Sequence, residues 1–196
     1  MTRNRAIFLD RDGTLNEDAG YTHRVDELRL LDNVVEGLRL MAAMGFRLIV
    51  TTNQSGIARG YFTVQDMETF NRHLIEVLQS HSIPIEAVYY CPYHPTSGVG
   101  EFRRDSPDRK PGPGMILQAA QDHHIDVARS YTIGDKKSDI LAGQAAGCST
   151  ILVRTGVGGS GEAEFAAEPD YVARDLLDAA HFIQAAELRA NPPAGQ

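Results

Sequence analysis

The sequence has few cysteines, no long apolar run and no cluster of basic residues, and each absence excludes a class of protein. Cys91 and Cys148 are the only cysteines, too few for a disulfide framework and consistent with a reducing cytoplasm. No stretch approaches the roughly 20 apolar residues of a membrane-spanning helix, and residues 1–5 lead directly into a predicted strand, which argues against a secretory signal. Without a basic stripe or arginine-rich arm, duplex nucleic acid is not an expected partner. We therefore expect a cytoplasmic protein.

The composition is ordinary for a globular protein but has an acidic excess. The 196 residues are 42% hydrophobic and 23% charged, and the formal net charge is -7. A chain of this length can bury a sizeable core in one domain. An acidic protein that handles anionic substrates must concentrate positive charge locally, in a bound metal or in a few Lys and Arg side chains.

Strand and helix signals alternate along the chain. The predicted strands are 6–9, 46–51, 87–91, 130–133, 150–153 and 171–172, and the predicted helices are 34–44, 64–78, 115–123, 139–146 and 175–189. We expect Asn33 to cap the first helix and Thr63 to open the second through a capping box with Asp66. The alternation predicts an α/β fold with a mostly parallel sheet covered by helices on both faces. Residues 1–190 are predicted to form a single domain and residues 191–196 a flexible tail.

Two carboxylates follow the first predicted strand. Asp10 and Asp12 stand two residues apart at its C-terminal tip and are followed at once by Gly13 and Thr14. Ligands of open α/β sheets bind beside the carboxyl ends of strands, and two neighbouring acids repel each other unless a cation or a proton lies between them. The pair indicates a metal site, a nucleophile with an acid/base partner, or both, while a capped turn is the structural alternative.

Polar groups also follow the other predicted strands, and together they suit phosphoryl transfer. Asp10 can act as nucleophile and Asp12 as acid and base, while Asp135 can join Asp10 around a hard cation such as Mg²⁺. Thr52 and Asn53 can donate hydrogen bonds to the transferring group, and Lys110 can supply a positive charge. The segments that carry these groups are 10–14, 51–56, 109–111 and 134–139.

These segments resemble the haloacid dehalogenase superfamily of Mg²⁺-dependent phosphatases with an aspartate nucleophile. The superfamily pattern is matched at residues 10–14, at Thr52, at Lys110 and at Gly134-Asp135 with Asp139. Segments 8–16, 20–21, 52–60, 91–92, 109–111 and 154–156 are similar to the branch whose members act on heptose bisphosphates, with the histidinol-phosphate phosphatases nearby. The resemblance extends from about residue 5 to residue 190.

The resemblance implies a Rossmann-like three-layer sandwich with no separate cap domain. It implies that Asp10, Asp12 through its carbonyl, and Asp135 hold Mg²⁺, and that Thr52 and Lys110 contact the transferring phosphoryl group. The residues that it places around the substrate are Asp18, Ala19, Gly20, Tyr21, Thr52, Asn53, Gln54, Ser55, Arg109, Lys110 and Lys136, with Arg109 at the distal part, the second phosphate.

The implied activity is removal of the 7-phosphate of a heptose 1,7-bisphosphate through an aspartyl-phosphate, in nucleotide-heptose biosynthesis for lipopolysaccharide. Histidinol phosphate or another small phosphorylated metabolite is the alternative substrate, and a phosphate-binding protein that has lost catalysis is the alternative from another class. We expect the protein to act as a monomer.

One segment departs from the family pattern. Many members bind structural zinc in the loop after the third strand, through Cys-x-His and Cys-x-Cys. Here Cys91 is retained, His94 stands one place late, and Ser106 and Asp108 occupy the second pair. A structural zinc site needs four good nitrogen or sulfur ligands. This degraded set predicts that the loop is held by packing and by its prolines rather than by zinc, with a poor metal site at Cys91, His94 and Asp108 as the alternative.

Overall fold

The computed structural model describes residues 4–156 and 168–190. Within these ranges the strands are β1 (Ala6–Leu9), β2 (Arg47–Asn53), β3 (Ile85–Cys91), β4 (Tyr131–Gly134), β5 (Ser149–Val153) and β6 (Tyr171–Ala173). The helices are α1 (Val34–Ala43), α2 (Ser55–Ala58), α3 (Val64–Ser80), α4 (Gly114–Asp122), α5 (Lys137–Ala146) and α6 (Leu176–Ala190). The predicted tail, residues 191–196, lies outside the described residues, so its separation from a domain at 1–190 stays a prediction.

The strands form one parallel sheet in the order β3-β2-β1-β4-β5-β6. β1 is central and fully buried, which is why its sequence is a continuous apolar run. Its side chains alternate between two cores, with Ile7 and Leu9 packing in the cluster that includes α1 and α6, and Phe8 in the cluster that includes α4 and α5. Complete burial of a side chain such as Phe8 contributes about 1.5–3 kcal/mol.

The predicted fold class is therefore confirmed: a Rossmann-like sandwich with helices on both faces of a parallel sheet. In the described ranges no second domain is inserted between the strands, and the long connections are the loop from β1 to α1 and the loop from β3 to α4. No helix among the described residues is long and apolar enough to cross a membrane.

Two local predictions have different outcomes. Thr63 and Asp66 form the predicted capping box, in which Thr63 Oγ1 accepts from the Asp66 backbone N–H at 3.1 Å. Asn33 does not cap α1 with its side chain: it lies in the left-handed region at φ +63°, and its Nδ2 donates to Asp175 Oδ2 at 2.8 Å. Asn33 is the N-cap residue by position, but the expected side-chain cap was wrong: with a left-handed backbone and Nδ2 bound to Asp175, its Oδ1 accepts no hydrogen bond from the first turn of α1.

Strand β2 continues two residues beyond its predicted end. Thr52 and Asn53 extend the pairing with β3, whereas the predicted strand ended at Thr51. The extension fixes the backbone of both residues at the carboxyl edge of the sheet, where β1 and β4 also end.

Candidate active site

The carboxyl ends of β1, β2 and β4 surround a polar cavity of about 270 Å³. The order of the strands reverses at β1, and an open α/β sheet binds its ligands at such a switch point. Residues from four segments line the cavity: Asp10, Asp12, Asp18, Gly20, Tyr21, Thr52, Asn53, Gln54, Ser55, Gly56, Lys110, Lys136, Ser138 and Asp139. Most of the predicted site residues are thus brought together; Ala19, Arg109 and Asp135 are not among the lining residues.

Three buried carboxylates form one cluster at the cavity. Oxygens of Asp10, Asp135 and Asp139 all lie within 4.8 Å of one another, and each residue is at most 5% exposed. Carboxylate oxygens are the ligands that hard divalent cations prefer, and buried like charges require a cation to coexist. The cluster therefore has the chemistry of a Mg²⁺ site.

Two glycines allow the close approach to Asp135. A Cβ on Gly13 would lie 2.5 Å from Asp135 Oδ2, and the φ of Gly13 is +88°, which side chains rarely adopt. A Cβ on Gly156 would lie 2.1 Å from the same oxygen. The backbone therefore encloses the Asp135 carboxylate in a cradle that larger residues would fill.

Lys110 is the buried cation of the cluster. Its Nζ donates to Asp10 Oδ1 at 2.7 Å and to the Thr51 carbonyl at 2.7 Å, and it lies 2.5 Å from Asp139 Oδ1. Two of the ammonium hydrogens thus have acceptors, and the Asp139 carboxylate adds a second ion pair. The ammonium holds the nucleophile candidate, Asp10, in a fixed orientation.

The charges around Asp10 control its ionisation. Burial opposes the charged form of Asp10, but Lys110 and then Lys136 outweigh it and hold the pKa of this carboxyl below its ordinary value. Burial raises the pKa of Asp139, with the neighbouring Asp10 charge adding to that rise and Lys110 opposing it. Burial alone would lower the pKa of Lys110, but Asp10 and Asp139 raise it. At neutral pH Asp10 is an anion beside an ammonium.

Asp12 is held apart from the carboxylate cluster by a set of donors. Its Oδ1 accepts from Arg11 Nε at 3.1 Å and Asn16 Nδ2 at 3.0 Å, and its Oδ2 accepts from Arg11 Nη2 at 2.9 Å and Gln54 Nε2 at 3.0 Å. Its carbonyl instead accepts from Lys136 Nζ at 3.4 Å, and this ammonium lies 3.8 Å from Asp135 Oδ1. This geometry separates a carboxylate suited to proton transfer from a carbonyl on the side of the metal cluster.

Arg11 is fully buried and organises this donor set. Besides Asp12, its guanidinium donates to Asn71 Oδ1 at 2.8 Å, the Thr22 carbonyl at 2.7 Å and Gln54 Oε1 at 3.2 Å. Its Cζ lies 4.5 Å from the centre of the Phe70 ring. The buried guanidinium is tolerated because its N–H groups have acceptors and its plane lies against the Phe70 ring.

We expect Arg11→Met to lower the free energy of unfolding by about 3–5 kcal/mol, because it leaves Asp12 and several buried acceptors unpaired. Urea denaturation monitored by circular dichroism measures the loss. Arg72→Met is the matched control, since Arg72 is exposed on α3, and we expect it to stay within about 0.5 kcal/mol of the wild type. Equal losses in both variants would contradict the role assigned to Arg11.

The last residues of β2 and Gln54, which follows them, link the strand to Lys110 and Asp12. Asn53 Nδ2 donates to the Lys110 carbonyl at 2.9 Å, and the Lys110 backbone N–H donates to Asn53 Oδ1 at 3.0 Å. Gln54 Nε2 donates to Thr52 Oγ1 at 2.8 Å, so the Thr52 hydroxyl keeps its own hydrogen for another acceptor. The Asn53 side chain thus positions Lys110, a role that the sequence did not indicate.

The β1–α1 loop covers one side of the cavity. Asp18 Oδ2 lies 3.3 Å from Lys136 Nζ, and its Oδ1 accepts from the Gly20 backbone N–H at 3.0 Å. The Ala19 backbone N–H donates to Thr22 Oγ1 at 3.1 Å, which keeps Ala19 within the loop. Tyr21 has a left-handed backbone at φ +60° and is 42% exposed. The loop therefore presents an acid and an aromatic ring to a ligand.

The degraded zinc loop is held by its own hydrogen bonds. His94 Nδ1 accepts from the backbone N–H groups of Thr96 at 3.3 Å and Ser97 at 3.0 Å, and Ser106 Oγ lies 3.3 Å from Asp108 Oδ2. In the described ranges Cys91, His94 and Asp108 do not converge into a three-ligand cluster. The sequence-based expectation that this loop binds no zinc stays a prediction.

Asp139 is a member of the carboxylate cluster to which the sequence assigned no role. It stands in the first turn of α5, where its Oδ2 also accepts from the Lys136 backbone N–H at 3.0 Å. The signal was present, because a carboxylate four residues after Asp135 returns to the same edge when a helix begins between them.

The chain is similar to a set of characterised phosphatases. Residues 108–179 match the family model described as HAD-hydrolase-like. The D-glycero-beta-D-manno-heptose-1,7-bisphosphate 7-phosphatase of Escherichia coli K12 is 48% identical over 174 residues, 88% of this chain and 90% of the relative. The enzyme of the same name from Yersinia pestis is 44% identical over 181 residues, 92% of this chain and 95% of the relative.

A solved structure agrees with these relatives. The D,D-heptose 1,7-bisphosphate phosphatase of B. bronchiseptica, crystallised with magnesium and phosphate, superposes with a TM-score of 0.82 at 29% identity. The match covers 93% of this chain and 99% of that one.

Proposed function

The chain belongs to the family of the D-glycero-beta-D-manno-heptose-1,7-bisphosphate 7-phosphatases, and from this premise we propose that it hydrolyses the 7-phosphate of that sugar bisphosphate. It is a phosphoric monoester hydrolase of the haloacid dehalogenase type. The observation that carries the proposal is the Asp10–Lys110 pair beside the Asp135 and Asp139 carboxylates at the switch point of the sheet.

Asp10 is the nucleophile in this proposal. Its carboxylate is ionised because Lys110 and Lys136 hold its pKa below the ordinary value, and it follows directly after a rigid, buried strand. An Asp10 oxygen attacks phosphorus while the bond between phosphorus and the C7 oxygen breaks. With a proton from Asp12 on the departing C7 oxygen, this step gives an aspartyl-phosphate and the C7 alcohol of the sugar.

Asp12 moves the proton. In the first step its carboxyl group donates a proton to the departing C7 oxygen, and in the second its carboxylate removes a proton from the water that attacks the aspartyl-phosphate. The donors Arg11, Asn16 and Gln54 fix the carboxyl group in one orientation. The second step releases inorganic phosphate and restores Asp10.

Asp10, Asp135 and the Asp12 carbonyl would hold Mg²⁺, with Asp139 adding negative charge beside Lys110. When bound, the ion offsets charge on the phosphoryl oxygens. The Thr52 hydroxyl and the Lys110 ammonium bind the transferring phosphoryl group from the other side. Asp18, Ala19, Gly20, Tyr21, Asn53, Gln54, Ser55, Arg109 and Lys136 surround the rest of the substrate.

A comparison of substrates tests the proposal. With Mg²⁺ supplied, we expect kcat/KM for D-glycero-D-manno-heptose 1,7-bisphosphate to exceed that for histidinol phosphate by about 100-fold, since hydrogen bonds to a second phosphate contribute about 1.5–3 kcal/mol each. Both anomers of the bisphosphate belong in the panel, and chelation of Mg²⁺ with EDTA should remove the activity. Faster turnover of histidinol phosphate would contradict the substrate, and no turnover of any phosphate ester would favour a phosphate-binding protein.

The proposal extends to a monomer in the cytoplasm. The proposed catalytic groups Asp10, Asp12, Thr52 and Lys110 line one cavity of a single chain, which suits an enzyme that acts as a monomer. Cys91 and Cys148 are buried free thiols, which suits a reducing compartment. Sedimentation analysis at micromolar concentration tests the monomer.

A further inference from the structure

Two arginines near the cavity lack the partners that the chain's other shielded arginines have. Five described arginines are buried or half-buried, and three of them, Arg5, Arg11 and Arg47, pair with the carboxylates of Glu187, Asp12 and Glu86 respectively. Arg59 and Arg109 are the other two, and no carboxylate of the described residues reaches ion-pair distance of either. Burying a cation without a counter-charge is unfavourable. This indicates that Arg59 and Arg109 bind an anionic ligand.

The hydrogen bonds of the two guanidinium groups are also incomplete. Arg59 Nε is buried and has no hydrogen-bond partner among the described residues. Arg109 donates from Nη1 to the Tyr93 carbonyl at 3.2 Å, which leaves most of its donors for another acceptor. A phosphate fits this need, because guanidinium groups bind phosphate oxygens through paired, charge-assisted hydrogen bonds.

The β3–α4 loop, which carries Arg109, is hydrogen-bonded to the end of α2 beside Arg59: the Val99 backbone N–H donates to the Ala58 carbonyl at 2.8 Å. Burial lowers the pKa of Arg109, and the positive charge of Arg59 lowers it further, against the opposing effects of Cys91 and Asp105. Burial likewise lowers the pKa of His94, and both Arg109 and Arg59 add to that shift. Asp105 opposes the fall in the pKa of Arg109 but forms no ion pair with it among the described residues.

Arg59 is connected to the catalytic cavity by two routes. It follows helix α2, whose Ser55 and Gly56 line the cavity, and its backbone N–H donates to the Ser55 carbonyl at 3.1 Å. Its Cζ lies 5.9 Å from the centre of the Tyr21 ring, which also lines the cavity. Arg109 directly precedes Lys110. A ligand whose reacting phosphate lies at Asp10 can therefore extend past Tyr21 towards both arginines.

We propose that Arg59 is a specificity-determining residue that forms, together with Arg109, a subsite for the phosphate that the reaction leaves in place. The subsite takes a phosphomonoester dianion on the distal end of the substrate. The proposal rests on the proposed function, since it assigns the second phosphate of a sugar bisphosphate, and it adds Arg59 to the expected role of Arg109.

Paired substrates and the variant Arg59→Met test the subsite. The probes are the heptose 1,7-bisphosphate with the heptose 7-phosphate, and fructose 1,6-bisphosphate with fructose 6-phosphate. We expect Arg59→Met to raise KM for the heptose bisphosphate by about 10- to 100-fold, and to change kcat/KM for the heptose 7-phosphate by less than about threefold. Arg103→Met, on an exposed arginine of the β3–α4 loop, is the matched control and should leave all four substrates unchanged.

The outcomes separate the subsite from the proposed function. Equal losses on the mono- and bisphosphates would show a structural role for Arg59, and an unchanged KM for the bisphosphates would show no contact; either result overturns the subsite. If the wild type rejects both heptose substrates but Arg59→Met still removes a preference for the fructose bisphosphate, the heptose assignment is wrong and the subsite stands. A wild type without preference for either bisphosphate overturns the subsite.

Discussion

Asp10→Asn is expected to lower Mg²⁺-dependent phosphate release by about ten-thousand-fold or more, the scale on which loss of a covalent nucleophile acts. An amide is a poor nucleophile, and it also removes the negative charge that pairs with Lys110 at 2.7 Å. The measurement is steady-state phosphate release from the heptose bisphosphate. Acid-quenched wild-type protein should in addition carry a phosphoryl group on Asp10, detected by mass spectrometry of the peptide.

Asp32→Asn is the matched control for this variant. Asp32 is exposed before α1, and the same substitution there should leave the rate unchanged. We expect Asp10→Asn to fold, because the amide has the shape of the carboxylate, and thermal denaturation checks this. Turnover of Asp10→Asn within tenfold of the wild type, or a phosphoryl group found on another residue, would remove Asp10 as the nucleophile.

Lys110→Met is expected to remove both activity and stability. The variant leaves Asp10 and Asp139 buried side by side without the ammonium that contacts both. Removing one partner of a buried ion pair lowers the free energy of unfolding by about 3–5 kcal/mol. Removing the positive charge that contacts the transferring phosphoryl group lowers kcat by about 100- to 1000-fold. Urea denaturation and steady-state kinetics measure the two losses.

The stability loss of Lys110→Met has a defined dependence on pH. Without Lys110, burial and mutual repulsion raise the folded-state pKa values of the two carboxyls above their unfolded values. The folded variant then binds more protons than the unfolded chain, so its stability falls as the pH rises. We expect the deficit relative to the wild type to be larger at pH 7.5 than at pH 4.5, and to shrink when Mg²⁺ is added.

Lys137→Met provides the control, since Lys137 is exposed at the start of α5. Its stability should follow the wild type at both values of pH. A deficit in Lys110→Met that is independent of pH and Mg²⁺ would contradict the account of Lys110 as the cation that lets Asp10 and Asp139 coexist.

The sequence predicted those site residues whose positions follow from the strand directly before them in the chain. Asp10 could be placed because an apolar strand ends directly before it, and Asp135 because it follows another strand of the same sheet. Parallel strands bring such tips to one edge whatever the details of packing. The same reasoning gave the α/β class, since a helix signal follows every predicted strand except the one at 150–153.

The parts that the sequence did not predict depend on contacts between distant segments. Arg11 is charged and would ordinarily be expected at the surface, but partners at Thr22, Gln54 and Asn71 enclose it. Asn53 supports Lys110 across 57 residues, and Asn33 donates from Nδ2 to Asp175 while its side chain makes no cap on its own helix. No local pattern encodes which distant group will satisfy a polar side chain.

The central claim is that this chain removes one particular phosphate from a sugar bisphosphate. Phosphorus NMR of the reaction with D-glycero-beta-D-manno-heptose 1,7-bisphosphate and Mg²⁺ tests it directly, because the C1 and C7 phosphates give separate signals. The account predicts loss of the C7 signal, one equivalent of inorganic phosphate and a retained C1 phosphate. Release of the C1 phosphate, or an unchanged spectrum with folded protein, would contradict it.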